Sequence, residues 1–276
     1  METYTGYREI FVGDEFLGKI YSGEIDVDTF YLSNNEYLIV TDSEGEAVDY
    51  FRNDNGTLKR VSFPTVGNDF TGIMKPRNPQ QYCALDMLLN EDIPLKLLTG
   101  KHGSGKSMAC ITAAIQAVQE GRFEKIIFIR NNVQVKDTDN LGAIPGEVDD
   151  KMLPYVMPLA DHCGGVEGVK HLISLGKVEV VPLGFLRGRD IKNSILYSME
   201  SENLTKEQIQ LIMGRVAEGS QLWMDGDNKQ RDRASFEKSQ GLETMIERLQ
   251  GEPLFGYVNM PKSERSEVAR LADKLD

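Results

Sequence analysis

Eight residues that begin at Gly100 constrain the fold of this chain more than any other feature. They read Gly-Lys-His-Gly-Ser-Gly-Lys-Ser and fit the pattern G-x-x-x-x-G-K-[ST]. Apolar Leu95, Leu97 and Leu98 lead into the first glycine as a buried strand would, and apolar residues at helical spacing follow the last serine. We therefore predict a strand, a glycine-rich loop and a helix in direct succession, with backbone N–H groups and the helix N-terminus aimed at one point.

The ligand that suits such a loop is a polyphosphate. Backbone amides and the positive end of a helix dipole favour an anion, Lys106 would reach the β- and γ-phosphates, and Ser107 would ligate Mg²⁺. The alternative is a glycine-rich turn that matches by chance, but the strand before it and the helix after it argue against that. The residues predicted to contact the nucleotide are Gly100, Lys101, His102, Gly103, Ser104, Gly105, Lys106 and Ser107.

The composition is that of an ordinary folded protein. Of the 276 residues, 27% are charged and 40% hydrophobic, and no apolar run approaches the length of a membrane span. Three cysteines and three histidines are scattered without the spacing of a zinc site or a disulfide framework. We expect a cytoplasmic protein with reduced thiols and without a signal peptide.

The net charge of −12 is distributed unevenly. Residues 1–69 hold fourteen acidic side chains and five basic ones, which accounts for nine of the twelve excess negative charges. This balance argues against a protein that coats nucleic acid non-specifically. The rest of the chain, residues 70–276, is close to neutral and is compatible with a local row of basic side chains on its surface.

The N-terminal quarter lacks helical periodicity and contains short strand-like runs separated by turn sequences. Asn34-Asn35 and Asn53-Asp54-Asn55-Gly56 are typical of hairpin turns. We predict a small, acidic, antiparallel β module over residues 1–65 and a linker over residues 66–77. The predicted strands are Glu9–Val12, Leu17–Tyr21, Thr29–Leu32, Glu36–Thr41, Val48–Arg52 and Leu58–Phe63.

From residue 78 onward, strand-like and helix-like segments alternate, which predicts an α/β fold with a mostly parallel sheet flanked by helices. Thr205-Lys206-Glu207-Gln208 is a capping-box sequence that begins one of these helices. Ligands in such sheets lie at the carboxyl ends of the strands. A helix is predicted over Pro79–Asn90, and strands over Leu95–Thr99, Lys125–Ile129, Lys177–Val181, Ser194–Ser198 and Gln221–Met224.

Further motifs make the chain similar to the PhoH family of ATPases, whose nucleotide-binding core is related to that of superfamily 1 helicases. The chain resembles most closely the ATPase half of the PIN–PhoH fusion proteins, from about Tyr4 onward. The resemblance implies a P-loop NTPase domain of the RecA or superfamily 1 helicase type over residues 78–276, with ATP and Mg²⁺ as cofactors. The matching stretches are Lys75–Gln81, Ile129–Arg130, Leu141–Glu147, Pro182–Ile191, Leu222–Gln230 and Lys262–Glu267.

The same resemblance implies partners. The family assembles into rings, so we expect a homo-oligomer, with a hexameric ring as its form, and contact with single-stranded RNA. No PIN ribonuclease domain is recognised in this sequence, so nuclease activity is not expected and a separate PIN nuclease is a candidate partner. Membrane association is not expected. Arg187 and Arg189 would suit RNA phosphates or a subunit contact, with a surface salt bridge as the alternative.

Single residues also receive roles from the resemblance. Gln81 matches the glutamine that reads adenine, since an amide offers both a donor and an acceptor, although a glutamine at a helix start is often only a surface residue. Gln230 would sense the γ-phosphate or orient water. Arg265 would reach the γ-phosphate, on a neighbouring subunit in a ring, and offset charge in the transition state. An exposed ion pair with Glu264 or Glu267 is the alternative for Arg265.

One position departs from the family pattern. The family has four apolar residues and then Asp-Glu-Ala-Gln-Asn-Leu-Thr, and alignment on Asn203-Leu204-Thr205 places Met199 at the aspartate and Glu200 at the glutamate. That aspartate holds Mg²⁺ in the family, whereas a thioether is a poor ligand for a hard cation. We predict weakened metal binding, with Glu200 as the water-activating base and Asp225 as a partial substitute for the metal ligand.

Alternatives stay open at this point. Glu200 could instead hold the metal while Glu202 serves as the base. For the whole protein, the first interpretation is a Mg²⁺-dependent ATPase coupled to RNA unwinding or translocation. The second is a nucleotide-gated assembly protein with little or no hydrolysis because of Met199. A nucleotide or metabolite kinase shares the loop, but the glutamine of Gly226–Gln230 favours a helicase-like core.

Overall fold

A computed structural model describes residues 4–130, 156–227 and 241–264. The named helices are α1 (Asp14–Tyr21), α2 (Pro79–Leu89), α3 (Lys106–Gln119), α4 (Gly165–Ser174), α5 (Lys206–Met213) and α6 (Gly241–Leu249). The strands are β1 (Tyr7–Phe11), β2 (Tyr37–Thr41), β3 (Ala47–Asp54), β4 (Thr57–Arg60), β5 (Val66–Asn68), β6 (Gly72–Met74), β7 (Leu95–Gly100), β8 (Lys125–Arg130), β9 (Val178–Pro182), β10 (Ser194–Ser198), β11 (Gln221–Gly226) and β12 (Phe255–Met260).

A six-stranded parallel sheet forms the centre of the molecule, in the order β12-β7-β11-β10-β8-β9. Helices flank it, so the predicted α/β P-loop fold is confirmed. One cluster of buried side chains lies between the sheet and α2 and α3, and a second lies on the opposite face with α5 and α6. Both faces of the sheet are therefore covered, as parallel sheets require.

The predicted elements of this core agree with the observed ones to within two residues at each end. The capping box is present as well, because Thr205 accepts from the N–H of Gln208 while the Gln208 side chain accepts from the N–H of Thr205. Strand β12 was not predicted from the sequence. Its second residue is Gly256, where a Cβ atom would lie 2.7 Å from the Met87 sulfur of α2. This close packing explains why a glycine interrupts the apolar strand pattern.

The N-terminal module is a four-stranded sheet in the order β1-β2-β3-β4. The antiparallel meander of β2, β3 and β4 is confirmed, and β1 joins its edge in a parallel orientation.

Two predicted strands of this module are wrong. Leu17–Tyr21 belongs to helix α1, and Thr29–Leu32 overlaps a 3₁₀ turn over Val27–Phe30. Acidic residues in the first turn of α1 and Lys19 in its last turn favour a helix, and its apolar residues recur at helical spacing and pack on Phe30. The 3₁₀ turn is capped by the Asp26 side chain.

Residues 66–77, expected to form a linker, carry the β5–β6 hairpin, which packs against α3. Gln116 of α3 accepts from the backbone N–H of Gly67 at 2.9 Å, and Asn68 donates to the Thr112 carbonyl at 3.0 Å. The hairpin is thereby fixed to the helix that follows the glycine-rich loop.

The module is joined to the core by buried polar contacts. The Tyr37 hydroxyl donates to Asp86 of α2 at 2.7 Å, and Arg52 lies 3.3 Å from the same carboxylate. Burial raises the pKa of Asp86, and the bonds from Tyr37 and Arg52 oppose that rise. Asn35 donates to the carbonyl of Phe255 at 3.0 Å. The module and α2 thus share one interior.

Within the ranges that the structure covers, we find no helix with the length and apolar character needed to cross a lipid bilayer.

Candidate functional site

The glycine-rich loop joins β7 to α3 at the carboxyl edge of the sheet, as the sequence predicts. Gly100 ends β7 with φ +139°, and a Cβ atom there would lie 2.1 Å from the Met260 carbonyl oxygen of β12. Gly105 has φ +90° directly before α3. Only glycine meets both requirements without strain, one for close approach and one for a left-handed backbone.

The first turn of α3 is arranged to receive an anion. Gly105 is the N-cap, and no side chain of the described residues caps this helix. The first backbone N–H groups of a helix have no partner within the helix, so here they are left to a ligand or to solvent. Together with the helix dipole, this arrangement fits a phosphate group.

Lys106 lies inside the loop rather than on its surface. The side chain is buried, and its Nζ donates to the carbonyls of Gly100 at 2.6 Å and Lys101 at 2.9 Å. Burial lowers the pKa of Lys106. Three carboxylates oppose that shift, and they define what we call the acidic edge: Asp225, Asp227 and Glu202.

Asp225 lies level with Met199, the position at which the family resemblance leads us to expect an aspartate, but it belongs to the neighbouring strand. Ser198 of β10 pairs with Met224 of β11, so Met199 and Asp225 follow at the same level. Both side chains are buried on the face of the sheet that packs against α3. Met199 belongs to the cluster of buried side chains on that face, and Asp225 shares the face with Trp223 of the same cluster because it lies two residues further along the strand. Adjacent strands lie roughly 4.8 Å apart. The Asp225 carboxylate therefore lies one strand away from position 199 and close enough to Lys106 to oppose the lowering of its pKa.

Two hydrogen bonds fix the Asp225 carboxylate. Its Oδ1 accepts from the backbone N–H of Glu200 at 3.0 Å, and its Oδ2 accepts from the Tyr197 hydroxyl at 2.5 Å. Asp225 thus connects the ends of β10 and β11 within the site.

Glu200 and Glu202 occupy different positions. Glu200 is exposed and has φ +52°, an uncommon conformation for a residue other than glycine, at the start of a short 3₁₀ turn over Ser201–Asn203. Glu202 is half-buried, and its Oε2 accepts from the backbone N–H of Asp227 at 3.1 Å. Burial raises the pKa of Glu202 to about 7, with smaller contributions from the neighbouring carboxylates. Glu202 therefore belongs to the acidic edge, whereas Glu200 lies at its solvent side.

Gln81 lies against the glycine-rich loop. It is 3% exposed, and its Nε2 donates to the Ser104 carbonyl at 3.0 Å while its Oε1 accepts from the Arg77 N–H at 2.8 Å. The amide therefore supports the loop backbone from the start of α2. Its role in adenine recognition stays a prediction.

The segment after β12 also contacts the loop. The backbone N–H of Glu264 donates to the Gly103 carbonyl at 2.9 Å, and its carboxylate accepts from the Asn78 side chain at 2.8 Å. Ser263 contacts the His102 carbonyl. Asn78 was not among the residues predicted for the site, although its position before Pro79 is typical of a helix N-cap. Gln230, Arg265 and the stretch Leu141–Glu147 lie outside the described residues.

The paired arginines differ from each other. Arg189 donates to Glu179 at 2.8 Å, so the salt-bridge alternative describes this residue. Arg187 is exposed on the segment that follows β9.

The donors at this site fit magnesium carried by a nucleotide. In the described part of the chain, no three His, Cys, Asp or Glu residues are grouped as a metal cage. Ser107 and Asp225 nevertheless supply hard oxygen donors, and Asp225 accepts a hydrogen bond from the Tyr197 hydroxyl at 2.5 Å. Magnesium is commonly held by only one or two protein groups, together with phosphates and water. The oxygen donors of Ser107 and Asp225 therefore fit such an ion, and their role as metal ligands stays a prediction.

Comparison of the sequence with known proteins identifies relatives of this chain. The family model described as "PhoH-like protein" matches residues 73–273. The chain is 31% identical to Protein PhoH2 of Bacillus subtilis, over 99% of this chain and 64% of that protein. It is also 31% identical to Protein PhoH2 of Mycolicibacterium smegmatis, over 73% of this chain and 47% of that protein. The PhoH-like protein of Bacillus subtilis is 31% identical, over 62% and 53% respectively. The chain thus spans about half to two thirds of the length of these curated relatives.

Proposed function

This chain belongs to the PhoH family of P-loop proteins, and we propose that it binds ATP with Mg²⁺ and hydrolyses the bond between the β- and γ-phosphates. One observation carries the proposal. The uncapped start of α3 and the buried Lys106 lie near a carboxylate, Asp225, that is level with Met199, where the family resemblance leads us to expect the metal-binding aspartate.

Each residue of the site has a distinct task in this proposal. The amides of the loop and Lys106 bind the phosphates, because both offer positive charge in a dry environment. Ser107 and Asp225 would hold the metal. Mg²⁺, when bound, would neutralise charge on the β- and γ-phosphates. Gln81 keeps the loop backbone in place beside the nucleotide base.

Glu200 is the proposed base. Its main chain is tied to Asp225, and its exposed side chain can approach a water molecule on the γ-phosphate. Glu202 is the second candidate, since its raised pKa suits proton transfer near neutral pH. Gln230 and Arg265 remain proposed γ-phosphate sensors.

We also propose a location, a polymer ligand and partners for this chain. A cytoplasmic location is consistent with three buried free thiols at Cys83, Cys110 and Cys163. Single-stranded RNA is the proposed polymer, with the exposed Arg187 as a candidate phosphate contact. Assembly into a ring and a separate PIN nuclease as a partner follow from the family resemblance alone.

The second candidate function is a nucleotide-gated assembly protein that binds ATP without rapid turnover. Met199 is the observation that favours it, because a buried thioether at this position removes one hard ligand from the metal.

Steady-state ATP turnover, measured with and without single-stranded RNA, separates the two functions. We expect Lys106→Ala to lower turnover by about 100-fold or more, because it removes a buried charge from the phosphate site. Lys192→Ala, at an exposed lysine away from the loop, should leave turnover unchanged. Tight ATP binding with no turnover in the wild type would favour the assembly protein. Turnover that survives unchanged in Lys106→Ala would contradict hydrolysis at this site.

A further inference from the structure

A buried tyrosine holds the carboxylate proposed as a magnesium ligand. Tyr197 lies on β10, on the face of the sheet that α3 covers, and is 1% exposed. Its hydroxyl donates to Asp225 Oδ2 at 2.5 Å. Ser107 and Cys110, in the first two turns of α3, lie near the same phenol. The phenol is therefore situated between the start of the helix and the end of β11.

The Tyr197 hydroxyl is a permanent donor in this setting. A tyrosine phenol has an ordinary pKa of about 10 and is therefore protonated at neutral pH. A hydrogen bond from a hydroxyl to a carboxylate is short and stronger than a bond between neutral groups.

This bond determines how Asp225 can meet a cation. One oxygen of the carboxylate is used by Tyr197 and the other by the Glu200 N–H, which prevents rotation of the group. Each carboxylate oxygen has about two lone pairs, so one acceptor direction on each oxygen is left after these bonds. An aspartate that binds the metal from β11 instead of β10 needs such a restraint, because one of its oxygens must stay directed at α3, the helix that bears Ser107.

We infer that Tyr197 is a positioning residue that orients Asp225, and through it the magnesium of MgATP. The inference rests on the proposed function of this site and extends it to a group that does not touch the nucleotide. The effect expected of such a residue is on metal-dependent binding rather than on the loop itself.

The experiment compares ATP affinity with Mg²⁺ and with EDTA by titration calorimetry. In Tyr197→Phe, which removes only the hydroxyl, we expect the affinity in Mg²⁺ to fall about tenfold and the affinity in EDTA to stay within about twofold. Tyr37→Phe is the matched control, because Tyr37 is also a buried tyrosine that donates to an aspartate, at 2.7 Å, but at the module interface. It should keep the wild-type response to Mg²⁺.

Two results would overturn the inference. An equal loss in both conditions would show that the hydroxyl serves only the core packing, and an unchanged Mg²⁺ response would show that Asp225 needs no restraint. Adding Tyr197→Phe to Asp225→Asn gives a second check, since no further loss supports the inference and an additional loss contradicts it. If the wild type binds no ATP in either condition, the proposed function fails and this inference fails with it.

Discussion

The glycine-rich loop and the acidic edge that faces it are built in different ways. The loop, with its strand and helix, is one continuous stretch from Leu95 to Gln119. The acidic edge combines Glu202, which follows β10, with Asp225 and Asp227 from β11 and the residue just after it, and these come together only through strand pairing. A continuous motif is determined by local sequence. A functional group that is positioned by strand register can come from a neighbouring strand and still lie at the same place in the site.

We expect the largest effect on ATP affinity when the carboxylate is moved from position 225 on β11 to position 199, directly after β10. Asp225→Thr should weaken the Mg²⁺-dependent affinity for ATP, and adding Met199→Asp should restore about tenfold, because the two positions are level on adjacent strands. Titration calorimetry with and without Mg²⁺ checks the recovery.

The matched control adds the same charge at the opposite edge of the sheet. Leu254→Asp changes an exposed residue just before β12, and in the Asp225→Thr background it should restore nothing. If Met199→Asp gives no recovery in a folded protein, the two strands are not interchangeable.

We expect the charge of Glu202, in the acidic edge, to have a smaller effect, and this effect is on the free energy of unfolding. Glu202 has its pKa raised from 4.5 to about 7 in the folded protein, so the folded state binds this proton more tightly than the unfolded state. Ionisation of Glu202 therefore destabilises the wild type progressively as the pH rises from 4.5 to about 7. We expect Glu202→Gln to raise the free energy of unfolding by about 1 kcal/mol near pH 8, with the difference shrinking towards pH 5.

Urea denaturation of the two proteins at several pH values measures this difference. Glu207→Gln, at an exposed acidic residue in the first turn of α5, serves as the control and should bring no gain near pH 8. A Glu202→Gln variant that is less stable than the wild type near pH 8 would mean that the ionised carboxylate stabilises the fold.

The same contrast explains how much could be predicted from the sequence. The loop, the helix that follows it and the capping box at Thr205 are local patterns, and the structure contains all three. Helix α1 was missed because its short apolar pattern fits a strand as well as a helix, and only packing on Phe30 separates the two.

The site was predictable in part for the same reason. Asp225 was identified as a candidate from its position after a strand, but its partner Tyr197 was not, because the hydrogen bond joins residues 28 positions apart. The contacts of Glu264 and Asn78 with each other span 186 positions. Such pairs depend on which strands are neighbours and in what register, and single-sequence patterns do not contain that information.

The most direct measurement is the affinity of wild type and Asp225→Asn for ATP, titrated by calorimetry over a range of Mg²⁺ concentrations. If Asp225 supplies the metal carboxylate from β11, Mg²⁺ should tighten ATP binding to the wild type by about tenfold or more and have little effect on Asp225→Asn. Both proteins should bind ATP with similar affinity in EDTA, because the loop is intact in each. An identical tightening by Mg²⁺ in the two proteins would contradict the account.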